Sequence, residues 1–171
     1  MAVSVFGNPI TNSTLEGRPE FAGKKDIQKI DRARAALNLI NSDGKQENSL
    51  QHMEKLKEKL GNTASVGVVT FRIVSNATGD PVKYVTHHEW LGKIAPPGYP
   101  KVIENGKSGG FLHVVEINVI IPPGSVGAVV YRSKSREVNC DFMLAWNNPS
   151  DSSKKIVNFN FELNAPYYTL L

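Results

Sequence analysis

After Gly61 the chain breaks into short apolar runs rich in Val, Ile, Thr, Phe and Tyr. Each run is closed by a segment of Gly, Pro, Asn, Ser or Asp, and no helical period intervenes. Strands of that length and spacing cannot cross over through helices, so they must pair antiparallel and close on one another as a sandwich. The pattern predicts strands at 65–74, 82–89, 101–104, 111–121, 128–133, 138–146 and 156–163. The densest case is 124–151, GSVGAVVYRSKSREVNCDFMLAWNNPSD, where a Gly-rich turn feeds two apolar strands that end in an aromatic corner.

Before Gly61 the period changes. Ile30, Ala33, Leu37 and Ile40 recur at helical spacing in a charged background, which predicts an amphipathic helix whose stripe faces the core. Asn41-Ser42-Asp43-Gly44 should end it. Asn48, with Gln51 three residues on, should cap a second helix carrying Leu50, Met53, Leu56 and Leu60 and stopping at Gly61. The first 24 residues, with apolar spots at Val5-Phe6, Ile10 and Phe21, read as an extended arm. The expected architecture is therefore α+β. Residues 1–61 form an arm and helical hairpin, 62–171 form the antiparallel β-sandwich, and the two pack as one compact domain.

Composition removes several functions. A net charge of +4 on 171 residues is mild, and Arg132, Lys134 and Arg136 crowd one hairpin without interleaved aromatics, so they read as a solvated face and not as a nucleic-acid site. The single cysteine, Cys140, excludes an internal disulfide and is expected as a buried, inert thiol. No stretch approaches the roughly 20 apolar residues of a spanning helix, and the start MAVSVFGNPITNSTLEG has no basic, continuous-apolar leader. Cytoplasmic residence is the expectation. The sequons at Asn12 and Asn76 then stay unmodified and read as a loop and a turn.

Catalytic chemistry finds little support. His87-His88-Glu89 is the densest polar cluster, and alternation along a strand puts His87 and Glu89 on one face. A metal site or an enzyme would need His113 to converge with them, and nothing in the spacing marks such a third ligand, so no metal or cofactor is expected. Gly106-Lys107-Ser108 imitates a phosphate loop, but Lys101 stands where its first glycine belongs and a strand follows it, so a hairpin turn is expected. No nucleophile, base and orienter can be assembled around Cys140 or the four histidines.

Binding is better supplied. Trp90 stands before the loop that holds Tyr99, and Trp146 stands before the polar loop 147–155. A large ring beside polar loops suits stacking on a sugar face or a lipid headgroup, with Asn147 and Asp151 as hydrogen-bonding groups. The competing reading makes both tryptophans plugs at the ends of the core.

Several motifs occur together and in order: GNPIT, DRARAALNLIN, VSNATGD, HHEWLGKI, VIENG before GGFLHV, and GAVVY before CDFMLAWNNP. In this the chain resembles the 23 kDa jasmonate-induced protein family of plants over most of its length. The resemblance implies a non-enzymatic stress or defence protein and carries no established biochemical activity. At the level of fold, GSVGAVVY and LAWNNPSD are similar to segments of the actinoporin-like proteins, which include fungal fruit-body lectins and are related to aegerolysins. That similarity implies a phosphocholine headgroup site, with Val126, Asn147 and Pro149 on pocket positions. The chain departs from it after the proline, where Ser150, Ser152, Ser153 and Lys154-Lys155 replace the family's aromatics.

Two binding roles follow. The first is a module for carbohydrate or lipid headgroups using Trp90, Tyr99, Val126, Trp146, Asn147, Pro149 and Asp151, with peripheral membrane contact. The second is a membrane-active protein that docks and then inserts its N-terminal amphipathic helix.

Overall fold

A computed structural model describes residues 4–61, 66–116, 124–135, 138–150 and 161–163. The N-terminal arm is more structured than an extended segment. Strand β1 (Val5–Phe6) is followed by helix α1 (Asn12–Glu16), which Thr11 caps by accepting from the Thr14 amide, and by a 3-10 turn at Pro19–Phe21. The first sequon thus opens a helix and does not lie in a loop. Helix α2 spans Lys29–Asn38 and α3 spans Lys45–Gly61. Asn48 therefore sits inside α3 and does not cap it. The helix begins three residues earlier because buried Lys45 donates from Nζ to the Gly106 carbonyl at 2.7 Å and holds the first turn onto the sheet below.

The remaining elements are strands: β2 (Val66–Ser75), β3 (Val82–Leu91), β4 (Lys93–Ile94), β5 (Val102–Ile103), β6 (Ser108–Glu116), β7 (Ser125–Ser135), β8 (Val138–Asn148) and β9 (Phe161–Leu163). The turn chemistry placed seven of them. Both additions, β1 and β4, are two-residue strands too short to show a period, and both pair with β6. The expected extensions to 117–121 and 156–160 lie outside the described residues. All pairings are antiparallel, in a four-stranded sheet built around β6 and a five-stranded sheet ordered β5-β3-β7-β8-β9.

The layers follow from β6, where every residue but Glu116 is buried. Its Phe111 face joins Val82, Tyr99, Ile103, Val129, Tyr131 and Trp146 between the two sheets. Its Leu112 and Val114 face meets Met53 of α3 with Ala95, and Leu56, Leu60, Val69 and Phe71 extend that contact. The protein is thus a helix on a two-sheet β-sandwich, the α+β class expected. A smaller core of Ile10, Leu15, Ile27, Ala35 and Ala36 seats α2 on the arm.

One expectation fails at α2. Its stripe faces away from the core, with Ile30 54% and Leu37 59% exposed, while Ala35 and Ala36 are buried. The helix is rolled by polar contacts. Arg32 donates to the Gly79 carbonyl, Asn12 and Asp80 at 2.7, 2.7 and 2.8 Å, and Lys29 pairs with Asp80 at 3.0 Å. Cys140 likewise is half-buried and not fully enclosed, because it lies near the turn end of the β7–β8 hairpin, opposite Ser133.

Candidate functional site

At one end of the five-stranded sheet the chain crosses to the other sheet. There β3 gives way to β4, and register places Leu91, Val126 and Asn147 side by side across three strands. The β3–β7 register slips between Glu89 and Leu91, leaving Trp90 as the extra residue of a β-bulge. A bulge re-aims the side chain it carries. Trp90 projects into solvent, 58% exposed, with the His88 ring edge-on to it at 4.6 Å between centroids. Leu91 beside it is exposed as well.

The neighbouring turn is held tightly. Gly124 adopts φ +110°, and a Cβ there would fall 2.7 Å from the Asn148 carbonyl oxygen and the Pro149 Cα. The start of β7 therefore lies directly on the end of β8. Asn148 bridges the sheets by donating to the Thr70 hydroxyl at 2.9 Å. Val126 and Pro149 are half-buried and Asn147 is exposed, so Trp90, Val126, Asn147 and Pro149 share this corner. Asp151 lies outside the described residues.

Trp146 and Tyr99 are elsewhere. Trp146 is 3% exposed and packs on Phe111 and His113 between the sheets, its ring filling the space over Gly127, where a Cβ would stand 2.5 Å from it. Tyr99 is buried in the same cluster, stacked on Tyr84 at 5.8 Å and edge-on to Phe111 at 4.8 Å. Burial raises its phenol pKa well above the ordinary value, with the Glu89 charge adding to the shift. Of the two tryptophans, then, one is a core plug and one is a surface ring. The sequence could not separate them, because both stand at a strand end before a polar loop and only the bulge distinguishes them.

The histidine cluster is partly assembled. His87 and Glu89 do share a face, with Nε2 to Oε1 at 3.8 Å, and Glu89 also accepts from the Ile94 amide at 2.7 Å. His113 faces them from the opposite sheet but is fully buried, its Nδ1 tied to Ser125 Oγ at 2.8 Å. Desolvation lowers its pKa, opposed by Glu89 and reinforced by His87. Among the described residues no three His, Cys, Asp or Glu side chains are placed to hold a metal ion. No described helix is long and apolar enough to cross a membrane.

The family model for Nakanori-like protein matches residues 6–168. The chain belongs to that family. It is 38% identical over 151 residues to a 23 kDa jasmonate-induced protein of Hordeum vulgare, covering 87% of this chain and 68% of that one. It is 30% identical over 112 residues to a jasmonate-induced protein homolog of Atriplex canescens, covering 63% of this chain and 58% of the other. The solved structure of the lipid-binding protein Nakanori superposes with a TM-score of 0.71 at 26% identity, over 87% of this chain and 68% of that one. The jasmonate-induced resemblance carried by the ordered motifs is thereby confirmed.

Proposed function

We propose that this protein is a non-enzymatic, stress-responsive lipid-binding module that docks on a membrane through the Trp90 corner. The observation that carries the reading is the bulge that turns Trp90 outward beside Leu91 while the equivalent-looking Trp146 is locked inside. An indole with an apolar body and a polar N–H partitions to the membrane–water interface. Asn147, exposed in the same row, supplies donors and an acceptor to a headgroup, and Val126 and Pro149 form the apolar backing. Support comes from Nakanori, a lipid-binding protein of the same fold at 26% identity, and from the jasmonate-induced relatives. A sugar would stack on the same ring, but the lipid reading has a relative behind it.

Seating the exposed part of Trp90 in the interface contributes about 2 kcal/mol, a ~30-fold effect on partitioning. Co-sedimentation with vesicles of several lipid compositions tests this. Trp90→Ala should lose about that factor while keeping wild-type thermal stability, since the ring supports nothing in the core. Equal binding by wild type and variant on every composition would refute the corner as the docking surface. A glycan array read with the same pair decides whether sugars share the site.

A further inference from the structure

One ionisable side chain stands against the docking ring. Alternation along β3 turns His87 and Glu89 to the interior, opposite Val129 and Gly127, and leaves His88 on the outer face of the five-stranded sheet, opposite Ala128. The bulge that turns Trp90 outward brings the two rings together, the imidazole edge-on to the indole at 4.6 Å between centroids and 62° between planes. A cation within about 6 Å of an indole centroid is attracted by the ring, so a proton gained by His88 does not part the pair.

The surroundings leave that charge free. His88 is exposed, and among the described residues neither ring nitrogen has a hydrogen-bond or ion-pair partner. Its neighbours on the outer face are uncharged: Trp90 on β3, Val126 and Ala128 on β7, Ala145 and Asn147 on β8. The charged groups next along the chain are committed elsewhere. Glu89 points inward to His87 and the Ile94 amide, and Lys93 pairs with Glu116. An exposed histidine is ordinarily only a solvated side chain. This one is set apart by its place against the ring that seats in the membrane, with no described acid beside it.

We propose that His88 makes the corner selective for anionic lipids, its imidazolium binding a headgroup phosphate beside the seated indole. The inference rests on docking through Trp90. Indole rings settle at the headgroup level, where the phosphates are, so a ring in contact with Trp90 meets them. A neutral imidazole brings one donor, whereas the imidazolium brings two and a charge. An anionic leaflet attracts that charge and a zwitterionic one does not. Preference for anionic lipid therefore grows as pH falls through the range in which an imidazole takes up its proton.

Co-sedimentation at constant ionic strength, with phosphatidylcholine vesicles with and without phosphatidylglycerol, at about pH 7.5 and about pH 5.5, is the test. Acidification should strengthen wild-type binding to the anionic vesicles about fivefold and leave binding to phosphatidylcholine unchanged. His88→Gln should remove the gain and keep wild-type binding to phosphatidylcholine. His88→Lys should hold the acid level of anionic binding at both pH values. A gain that persists in His88→Gln belongs to the remaining histidines and overturns the proposal. So does a loss on both kinds of vesicle in that variant, which would make His88 only a prop for the indole. Trp90→Ala keeps the two readings apart. If it binds every vesicle as wild type does, the docking corner is refuted and this proposal with it. If it loses binding while the wild type gains nothing on acidification, only the role of His88 falls.

Discussion

Ser125 has one hydroxyl proton and two partners. Trp146 Nε1 can only donate, so at 3.2 Å the Ser125 oxygen accepts from it and its own O–H donates a hydrogen bond to Nδ1 of His113 at 2.8 Å. The neutral imidazole then carries its hydrogen on Nε2, which has no partner. Desolvation holds the folded pKa below the ordinary 6.5, with Glu89 acting against it. The sign follows from linkage. The unfolded chain takes up a proton near pH 6.5 while the folded chain stays neutral to lower pH, so stability is lost as pH falls through that window. Denaturant melts at pH 7 and pH 5 should show the loss, up to about 1.4 kcal/mol for each pH unit below 6.5. His113→Phe should flatten the slope, leaving the residue owed to His52, whose pKa burial also lowers. An unchanged slope would mean that His113 titrates normally. The sequence placed His113 only as a possible third ligand. Strand β6 is buried on both faces, so alternation could not say that this position lies in the middle of the core.

Elements were legible where turn chemistry bounded them and illegible where tertiary contacts set their roll. The β7–β8 hairpin was placed from GSVGAVVY and the polar loops alone. Helix α2 was found from its period, yet that period named the wrong face. Arg32 and Lys29 fasten the helix to the β2–β3 turn, where Asn76 is itself locked by donating to the Asp80 and Ile103 carbonyls at 2.8 and 2.7 Å. A guanidinium with three hydrogen bonds outweighs two exposed aliphatic side chains, because unmaking it leaves the Gly79 carbonyl unpaired and Asp80 with Lys29 alone. The consequence is measurable. Ile30→Gln and Leu37→Gln should each change unfolding free energy by less than about 0.5 kcal/mol, whereas Arg32→Ala should cost about 2 kcal/mol. If the glutamine variants proved the costlier, the stripe would be a working core face after all. The same logic hid the docking corner. No local pattern announces a bulge, so Trp90 and Trp146 look alike until the β3–β7 register is known.

For the molecule as a whole, the two membrane roles differ in what must come apart. Inserting an N-terminal helix would require α3 to leave the four-stranded sheet. Met53, fully buried, would lose Ala95, Leu112 and Val114, and Leu56, Leu60, Val69 and Phe71 would be opened with it. Lys45 would surrender its bond to the Gly106 carbonyl. At roughly 1.5–3 kcal/mol per large apolar side chain, the exposure approaches 10 kcal/mol, comparable with the entire 5–15 kcal/mol by which a domain of this size is stable. Release of α3 is therefore close to unfolding, and its charged outer face offers the bilayer little in return. Docking through Trp90 needs no such opening. Vesicles that bind the protein and carry a trapped dye should accordingly retain it at concentrations where co-sedimentation is complete. Crosslinking α3 to β6, through cysteines introduced at Met53 and Gly110 in a Cys140→Ser background, should leave binding intact. The two positions face each other, because a Cβ at Gly110 would stand 3.5 Å from Met53 Cγ. Rapid dye loss abolished by that crosslink would instead establish helix insertion and make the Trp90 corner only the first step of a membrane attack.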